Sequence, residues 1–242
     1  MTSLPYKNSD KTKKQQVAEM FNNIAYRYDF LNHFLSVGID KIWRYRAINI
    51  LKATQPKQIL DIATGTGDFA LAALRLKPQQ IIGIDISEGM LKVGREKIKR
   101  KGVNHLIDLQ LGDSENLNFK SESFDALTAG FGVRNFQDLD AGLAEMLRIL
   151  KPKGTAVILE FSQPQNFPIK QLYNFYFHSI LPLFGKIVSK DSSAYTYLPE
   201  SVSVFPYGNA FLERMQKAGF INLKIKQVAF GIASIYVGEK LG

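Results

Sequence analysis

The chain has 242 residues, of which 45% are hydrophobic and 22% charged, so it can bury a full core, and we expect a single α/β domain. It contains no cysteine, which excludes disulfides, thiolate metal sites and every mechanism with a cysteine nucleophile. The histidines, His33, His105 and His178, lack the spacing of metal ligands, and we expect no bound metal.

The net charge of +9 favours an anionic partner such as nucleic acid, anionic lipid or an acidic protein. Much of the excess lies in residues 7–14 and 92–101, where solvated faces suffice to explain it. Residues 1–14 are polar and unlike a signal peptide, and the apolar stretch 180–188 is too short to span a bilayer. We therefore expect a cytoplasmic protein.

The first 56 residues predict a helical segment. Apolar residues recur with helical spacing from Val17 to Tyr28 and again from Ile39 to Leu51, and Pro56 ends the segment. Strands then alternate with helices, which implies a parallel sheet covered on both faces. The predicted order is strand 58–62, helix 69–76, strand 80–85, helix 88–101 capped by Ser87, strands 107–111 and 124–129, helix 139–150 and strand 155–161.

The alternation of strands and helices stops after Phe161. Residues 163–207 combine several prolines with a dense aromatic run, and we interpret them as a cover over the sheet edge rather than a second domain. A helix over 209–218 follows, and then strands over 223–228 and 232–237. Because only a few residues around Gly231 join these two strands, they must be antiparallel neighbours.

The most informative stretch is residues 59–68, which read Ile-Leu-Asp-Ile-Ala-Thr-Gly-Thr-Gly-Asp. An apolar strand runs into a glycine pair and then a helix, and glycines at such a corner let the backbone approach a ligand closely. The spacing Gly65-x-Gly67-x-x-Ala70, with Asp85 about 20 residues further on, also satisfies the dinucleotide-binding fingerprint. On its own, the motif does not distinguish a dinucleotide from another adenosine cofactor.

Acidic residues follow the first strands, at the edge where open α/β sheets bind ligands: Asp61, Asp68, Asp85 and Asp113. Asp61 would repel the pyrophosphate of a dinucleotide, whereas S-adenosylmethionine carries a sulfonium and an ammonium. The charge pattern therefore favours S-adenosylmethionine, with Asp85 on the ribose hydroxyls and Asp113 near the adenine amino group. Simpler roles remain open, with Asp68 as a helix cap and Asp113 as a turn residue.

Several motifs resemble known families. Asp61-x-x-x-Gly65-Thr66-Gly67, Asp85 and Gly112-Asp113-Ser114 are similar to class I S-adenosylmethionine-dependent methyltransferases. Residues 28–43, which read Tyr-Asp-Phe-Leu-Asn-x-x-Leu-Ser-x-x-x-Asp-x-x-Trp, resemble the N-terminal signature of the ubiquinone/menaquinone biosynthesis C-methyltransferases. Residues 131–135, 148–154 and 195–201 also fit that family, and the resemblance extends from about Val17 to the end of the chain.

Three positions differ from the family pattern or match it only in part. Asp40 stands where the N-terminal signature commonly has histidine, so no chemistry is assigned to it. Lys153 replaces a frequent glycine, which affects turn geometry more than function. Gly130 matches a position where some relatives have serine near the cofactor, and here it offers only backbone.

The resemblance implies a Rossmann-like fold: a seven-stranded, mostly parallel sheet with helices on both faces and an antiparallel C-terminal hairpin. It also implies methyl transfer from S-adenosylmethionine to a ring carbon of a polyprenylated demethylquinol. The sequence of these motifs resembles the menaquinone branch of the family more closely, which predicts demethylmenaquinol as the substrate. A methoxy-benzoquinol of ubiquinone biosynthesis is the alternative substrate. The expected divisions are a helical cap (1–56), a cofactor-binding core (57–162), a substrate-covering segment (163–207) and a C-terminal helix and hairpin (208–242).

The residues expected to bind the cofactor are Asp61, Gly65, Thr66, Gly67, Asp85, Asp113, Ser114 and Gly130. Arg134 is expected to stabilise the quinol phenolate, although anchoring its own loop is an equally good role. Further candidates for orienting the quinol or relaying its proton are Tyr28, Asp191, Tyr195 and Tyr197. For the tyrosines, packing in the core or the pocket wall is the simpler alternative.

Two other classes of function compete. The charge suggests a nucleic-acid methyltransferase, but the chain has neither the cysteine nor the Asn/Asp-Pro-Pro-aromatic element that such enzymes use, and we expect no nucleic-acid partner. A nicotinamide oxidoreductase is disfavoured by Asp61 and by the closing hairpin.

A lipid-tailed substrate would give the basic surface a use in transient contact with the inner face of the cell membrane. A homo-oligomer is compatible with the sequence.

Overall fold

The computed structural model describes residues 3–36, 38–180 and 193–242. Its helices are α1 (Lys13–Leu35), α2 (Ile39–Ile50), α3 (Asp68–Ala73), α4 (Glu88–Arg100), α5 (Leu139–Ile149), α6 (Ile169–Phe175), α7 (Ser193–Val204) and α8 (Asn209–Ala218). Its strands are β1 (Gln58–Ile62), β2 (Gln80–Asp85), β3 (Ile107–Leu111), β4 (Phe124–Gly130), β5 (Leu150–Phe161), β6 (Ile221–Val228) and β7 (Ala233–Glu239).

The seven strands form one sheet in the order β3-β2-β1-β4-β5-β7-β6. The pairs among β1 to β5 are parallel, and β7 lies antiparallel between β5 and β6. The order reverses beside β1, so the carboxyl ends of β1 and β4 border a crevice of the kind that binds ligands in open α/β sheets. The predicted fold class, including the antiparallel hairpin, is confirmed.

The sheet has an apolar core on each face because successive side chains of a strand point to opposite sides. On one face, Ile59 and its neighbours pack against α2, α3 and α4. On the other face, Leu60 and its neighbours pack against α5 and α8, where Phe211 and Tyr236 are fully buried. Strands buried on both faces explain the nearly continuous apolar runs that predicted them.

Some predicted boundaries are wrong. The strand expected at 155 begins at Leu150, directly after α5, because the chain already pairs with Phe124 there across a register shift. The predicted helix 69–76 is α-helical only to Ala73 and continues as a 3₁₀ turn. Ile232, predicted to open the last strand, has helical φ and ψ and closes the turn before β7.

Helices α1, α2, α6 and α7 cover the carboxyl edge of the sheet. Helix α1 packs along α4 and also contacts α2 and α7. Tyr197 of α7 packs in a small buried cluster with Val17 and Met20 of α1. A π-helical turn, Tyr176–Ile180, continues α6. Within the described ranges, no helix is long and apolar enough to cross a bilayer.

Candidate active site

The glycine turn joins β1 to α3 through a tightly wound backbone. Ala63, Gly65 and Gly67 all have positive φ, at 50°, 57° and 82°. Glycine adopts this left-handed region without the penalty that a Cβ brings. The buried amide of Gly65 donates a 2.8 Å hydrogen bond to Asp85 Oδ2, which connects the turn to the end of β2.

Asp61 lies behind the turn and is fully buried. Its carboxylate accepts hydrogen bonds from Thr64 Oγ1 at 2.5 Å, Thr128 Oγ1 at 2.7 Å and the Ala70 amide at 3.2 Å. Burial raises the pKa of Asp61 to about 6, while these hydrogen bonds favour the charged form. Asp61 therefore connects β1 to the glycine turn, to the first turn of α3 and to β4 through buried hydrogen bonds.

Asp85 faces a small cavity at the crevice. Its two carboxylate oxygens accept from the amides of Gly65 and Ser87, at 2.8 and 2.9 Å. Burial raises the pKa of Asp85 to about 6. The adjoining Ser87 caps α4 as predicted, with its hydroxyl accepting from the Met90 amide.

The small cavity has a volume of about 60 Å³ and gathers five of the residues predicted to bind the cofactor: Gly65, Asp85, Asp113, Ser114 and Gly130. Helix α1 supplies a further wall with Lys14, Val17 and Phe21. Lys14 Nζ reaches Asp113 Oδ2 at 2.6 Å and Glu115 Oε2 at 3.1 Å, which joins the start of α1 to the residues after β3.

The other three residues predicted to bind the cofactor are not part of that cavity lining: Asp61, Thr66 and Gly67. Thr66 belongs to a polar cluster, in which its hydroxyl donates to Asp29 of α1. Lys97 of α4 donates to Asp29 and to Asp68, each at 2.6 Å, and to Thr66 Oγ1 at 3.0 Å. This cluster connects α1, the glycine turn and α4.

A larger cavity of about 430 Å³ adjoins the small one, and Phe21, Tyr28 and Phe131 line both. Its walls are mainly apolar and aromatic, and they come from α1, α2, α6, α7 and the ends of β4 and β5. They include Met20, Ile24, Trp43, Phe161, Leu172, Tyr173, Tyr176, Phe177, Leu198 and Ile232. Three charged side chains also line it: Asp40, Arg44 and Arg134.

Arg134 is fixed within the wall of the larger cavity. Its Nη1 donates to Glu160 Oε1 at 2.9 Å and to the Phe131 carbonyl, and its Nε donates to Ser201 Oγ at 3.2 Å. Glu160, at the end of β5, is fully buried. Within the described residues, Nη2 makes no hydrogen bond, so the held guanidinium keeps a donor for a ligand.

The other predicted catalytic residues have different placements. Tyr28, Tyr195 and Tyr197 line the larger cavity together with Arg134. Burial raises the pKa of Tyr197 to about 12, so its hydroxyl keeps its proton at neutral pH. Asp191 lies outside the described residues.

Two further residues have site geometry that was not predicted. Asn135 lines the small cavity, and its buried Oδ1 has no partner within the described part of the chain. Glu160 is the counter-ion of Arg134. Asp85 and Asp113 were predicted because each is an acid at the carboxyl end of a strand. The same criterion, used on β5, would have predicted Glu160 as well.

The fold is Rossmann-like and is shared with methyltransferases of known structure. Among solved structures, a SAM-dependent methyltransferase from Thermotoga maritima superposes with a TM-score of 0.64 at 21% identity, covering 92% of this chain and 99% of that one. Phosphoethanolamine N-methyltransferase 2 of Haemonchus contortus, in complex with S-adenosyl-L-methionine, gives 0.59 at 17% identity and covers 88% of this chain and 60% of that one.

Sequence comparison narrows the class to a family. The model of the ubiE/COQ5 methyltransferase family matches residues 9–240. A demethylmenaquinone methyltransferase of Bacteroides fragilis is 49% identical over 237 residues, which cover 98% of this chain and 96% of that protein. A ubiquinone/menaquinone biosynthesis C-methyltransferase UbiE of Geobacter sulfurreducens is 44% identical over 230 residues, covering 94% and 90%. The chain belongs to the ubiE/COQ5 methyltransferase family, and the predicted resemblance is confirmed.

The Arg134–Glu160 ion pair generates a test of stability. Glu160→Gln is expected to lower the free energy of unfolding by about 3 kcal/mol, because it leaves a buried guanidinium without its counter-ion. Urea unfolding measures the change. The matched control is Asp140→Asn, which breaks the exposed Asp140–Arg214 pair and should cost less than about 1 kcal/mol. If both variants lost the same free energy of unfolding, the assignment of Arg134–Glu160 as a buried ion pair would be contradicted.

Proposed function

We propose that this chain transfers a methyl group from S-adenosylmethionine to a ring carbon of a polyprenylated demethylmenaquinol, giving menaquinol, S-adenosylhomocysteine and the proton that leaves the ring carbon. The observation that carries the proposal is that a small cavity at the glycine turn, which Asp85 and Asn135 line, adjoins a large aromatic cavity that contains a fixed guanidinium. Relatives named demethylmenaquinone methyltransferase, at 49% and 40% identity over 98% of this chain, support this substrate. Relatives named UbiE support the benzoquinol of ubiquinone biosynthesis as the alternative.

The expectation of S-adenosylmethionine as the methyl donor is confirmed by the family and by the related fold that binds it. The residues that line the small cavity offer polar partners to the adenosine end of this molecule. Asp85 offers a carboxylate to the ribose hydroxyls, and the unpartnered Asn135 Oδ1 offers a buried acceptor. A Cβ on Gly132 would lie 2.4 Å from Ala63 Cβ, and one on Gly130 would lie 2.7 Å from Phe69 Cδ1, so the floor of the cavity requires glycine.

Three of the predicted cofactor contacts act on the shape of the turn in this proposal. Asp61 and Gly67 hold the turn from behind, and Thr66 ties it to α1. Gly65, Asp113 and Ser114 border the cavity directly. The amides of Thr64, Gly65 and Gly67 already donate to Ile84, Asp85 and Thr64, so we propose that the methionine portion contacts the remaining backbone of the turn.

The larger cavity suits an aromatic ring with a hydrocarbon tail. Its aromatic walls offer stacking surfaces and exclude water, and its volume is in the range of small-molecule sites. The bound cofactor supplies an electrophilic methyl group. Arg134 favours ionisation of the quinol hydroxyl beside the methylated carbon, because the guanidinium stabilises the negative oxygen. That charge raises the electron density on the neighbouring carbon, and Glu160 keeps the guanidinium in position.

Tyr28, Tyr195 and Asp191 remain candidates for orienting the quinol and accepting its proton. The covering role of residues 163–207 is part of the same proposal, and Tyr173 and Phe177 of this segment stack at 4.1 Å between ring centroids beside the cavity. The apolar, aromatic lining of the cavity favours a small hydrophobic substrate over a nucleic acid.

We further propose that the enzyme works in the cytoplasm and meets its substrate at the surface of an anionic membrane. Leu172 and Phe230 line the larger cavity and are also 61% and 81% exposed, so the cavity reaches the surface at an apolar rim. Phe175 of α6 is 61% exposed beside them. A net charge of +9 adds attraction to anionic headgroups.

Cofactor binding should depend on pH through Asp85. Because the ribose hydroxyls need an ionised acceptor, affinity for S-adenosylhomocysteine should fall several-fold as the pH drops through 6, where burial places the pKa of Asp85. Titration calorimetry from about pH 7.5 to about pH 5 measures the dissociation constant. In Asp85→Asn we expect binding about tenfold weaker and a flatter pH dependence, since Asp61 still titrates in both proteins. An unchanged pH dependence in the variant would exclude this role.

The catalytic function is tested with purified protein and S-adenosylmethionine. We expect methylation of a short-tailed demethylmenaquinol, with a higher kcat/KM than for the matching methoxy-benzoquinol. Deletion of the gene in its host should lead to accumulation of demethylmenaquinone. An unchanged quinone profile, together with no product in vitro, would refute the proposal.

Membrane contact is tested by flotation with liposomes that contain anionic lipid, at moderate salt. The wild type should float, and Leu172→Ser combined with Phe175→Ser should reduce the floated fraction several-fold. Leu111→Ser is the control, because Leu111 is 62% exposed but lies on the edge strand β3 and is not part of the larger cavity's lining. Failure of the wild type to float would count against membrane contact.

A further inference from the structure

The wall of the larger cavity contains a buried ion pair that the proposed reaction leaves without a role. Asp40 and Arg44 lie one turn apart on α2, with side chains only 5% and 10% exposed. Asp40 Oδ2 accepts from Arg44 Nη1, and Asp40 Oδ1 accepts from Ser36 Oγ at 2.6 Å. All three residues line the cavity.

Such a pair is a poor way to stabilise a fold. Removing two charges from water is costly, and an apolar pair of similar volume is often as stable or more so. The surrounding wall is apolar, with Ile39 and Trp43 on the same helix lining the cavity. A carboxylate retained in this position is therefore better explained by a ligand that it contacts.

The cavity holds two different polar groups. Arg134 lies over the ring of Phe161, with its guanidinium carbon 5.3 Å from the ring centroid, and Arg44 lies over Phe131 at 5.6 Å. The centroids of these two rings are 4.5 Å apart, so each guanidinium group contacts one ring of the same aromatic pair. Arg134 brings a hydrogen-bond donor, whereas Asp40 brings an acceptor that Arg44 and Ser36 hold in place.

We propose that Asp40 accepts a hydrogen bond from the quinol hydroxyl that is remote from Arg134, and thereby selects the reduced form of the substrate over the quinone. This inference rests on the proposed function. A 1,4-quinol has an oxygen at each end of its ring, which matches one donor and one acceptor. An ionised carboxylate offers about four acceptor sites, so Asp40 can bind a ligand hydroxyl while it keeps its partners in the protein, Ser36 and Arg44 among them.

The selection follows from the chemistry of the two redox forms. The quinol has a hydroxyl hydrogen to donate to Asp40, whereas the quinone has only a carbonyl oxygen, which a carboxylate repels. A buried polar group that loses its partner also disfavours the wrong ligand. Only the quinol can ionise to an electron-rich ring, so excluding the quinone keeps the site available for the reactive form.

The test compares affinities for both redox forms of one compound. Demethylmenaquinone with a single isoprene unit, oxidised or reduced, is titrated anaerobically by calorimetry with S-adenosylhomocysteine bound, so that no turnover occurs. The wild type should bind the quinol at least about tenfold more tightly than the quinone. Asp40→Asn should lose most of this preference, because its amide can donate to the quinone carbonyl.

Two controls keep the result interpretable. Asp140→Asn removes the same charge at an exposed position and should keep the wild-type preference. If Asp40→Asn does not bind S-adenosylhomocysteine, Asp40→Asn with Arg44→Gln replaces it, since no buried charge is then left without a counter-ion.

Two results would overturn the inference alone. One is equal affinity of the wild type for quinol and quinone, and the other is an unchanged preference in the Asp40 variant, in an enzyme that still methylates the quinol. Absence of methylation by the wild type would instead overturn the proposed function, and this inference with it.

Discussion

The buried carboxylate of Asp61 is the constraint on which the rest of the site depends. Its hydrogen bonds reach the turn through Thr64, the neighbouring strand through Thr128 and the first turn of α3 through the Ala70 amide. Desolvating a carboxylate is unfavourable, and three donors in fixed positions offset that cost. The geometry fixed in this way directs the Gly65 amide to Asp85 and leaves the crevice open at the reversal of strand order.

Helix α1 makes the two cavities one site. Near its start, Lys14 reaches Asp113 at the small cavity, and further along Asp29 joins the cluster of Thr66 and Lys97 at the glycine turn. Phe21 and Tyr28 lie between Lys14 and Asp29 on this helix, and both line the two cavities. The first two residues of the 28–43 signature, Tyr28 and Asp29, therefore lie at the junction of the two cavities and beside the glycine turn, and Asp29 attaches α1 to that turn.

Sequence patterns predicted the parts of the molecule that depend on local order. Strand and helix alternation, the Ser87 cap and the closing hairpin follow from periodicity and chain connectivity. Asp85 was found because an acid at a strand end faces the ligand edge. The inward role of Asp61 depends on Thr128, 67 positions along the chain, and Arg134 depends in the same way on Glu160. Such partners become visible only when the sheet brings them together.

The cover was the least predictable region, since its helices are short and irregular, and α7 contains a proline within its span. The larger cavity gives the protein an intrinsic fluorescent reporter. Trp43 is the single tryptophan of the chain, and it lies in the wall of the larger cavity, 6.1 Å from the ring of Phe131. Its fluorescence emission therefore originates beside one cavity only. A bound quinone, being an electron acceptor, would quench that emission and make occupancy measurable without any label.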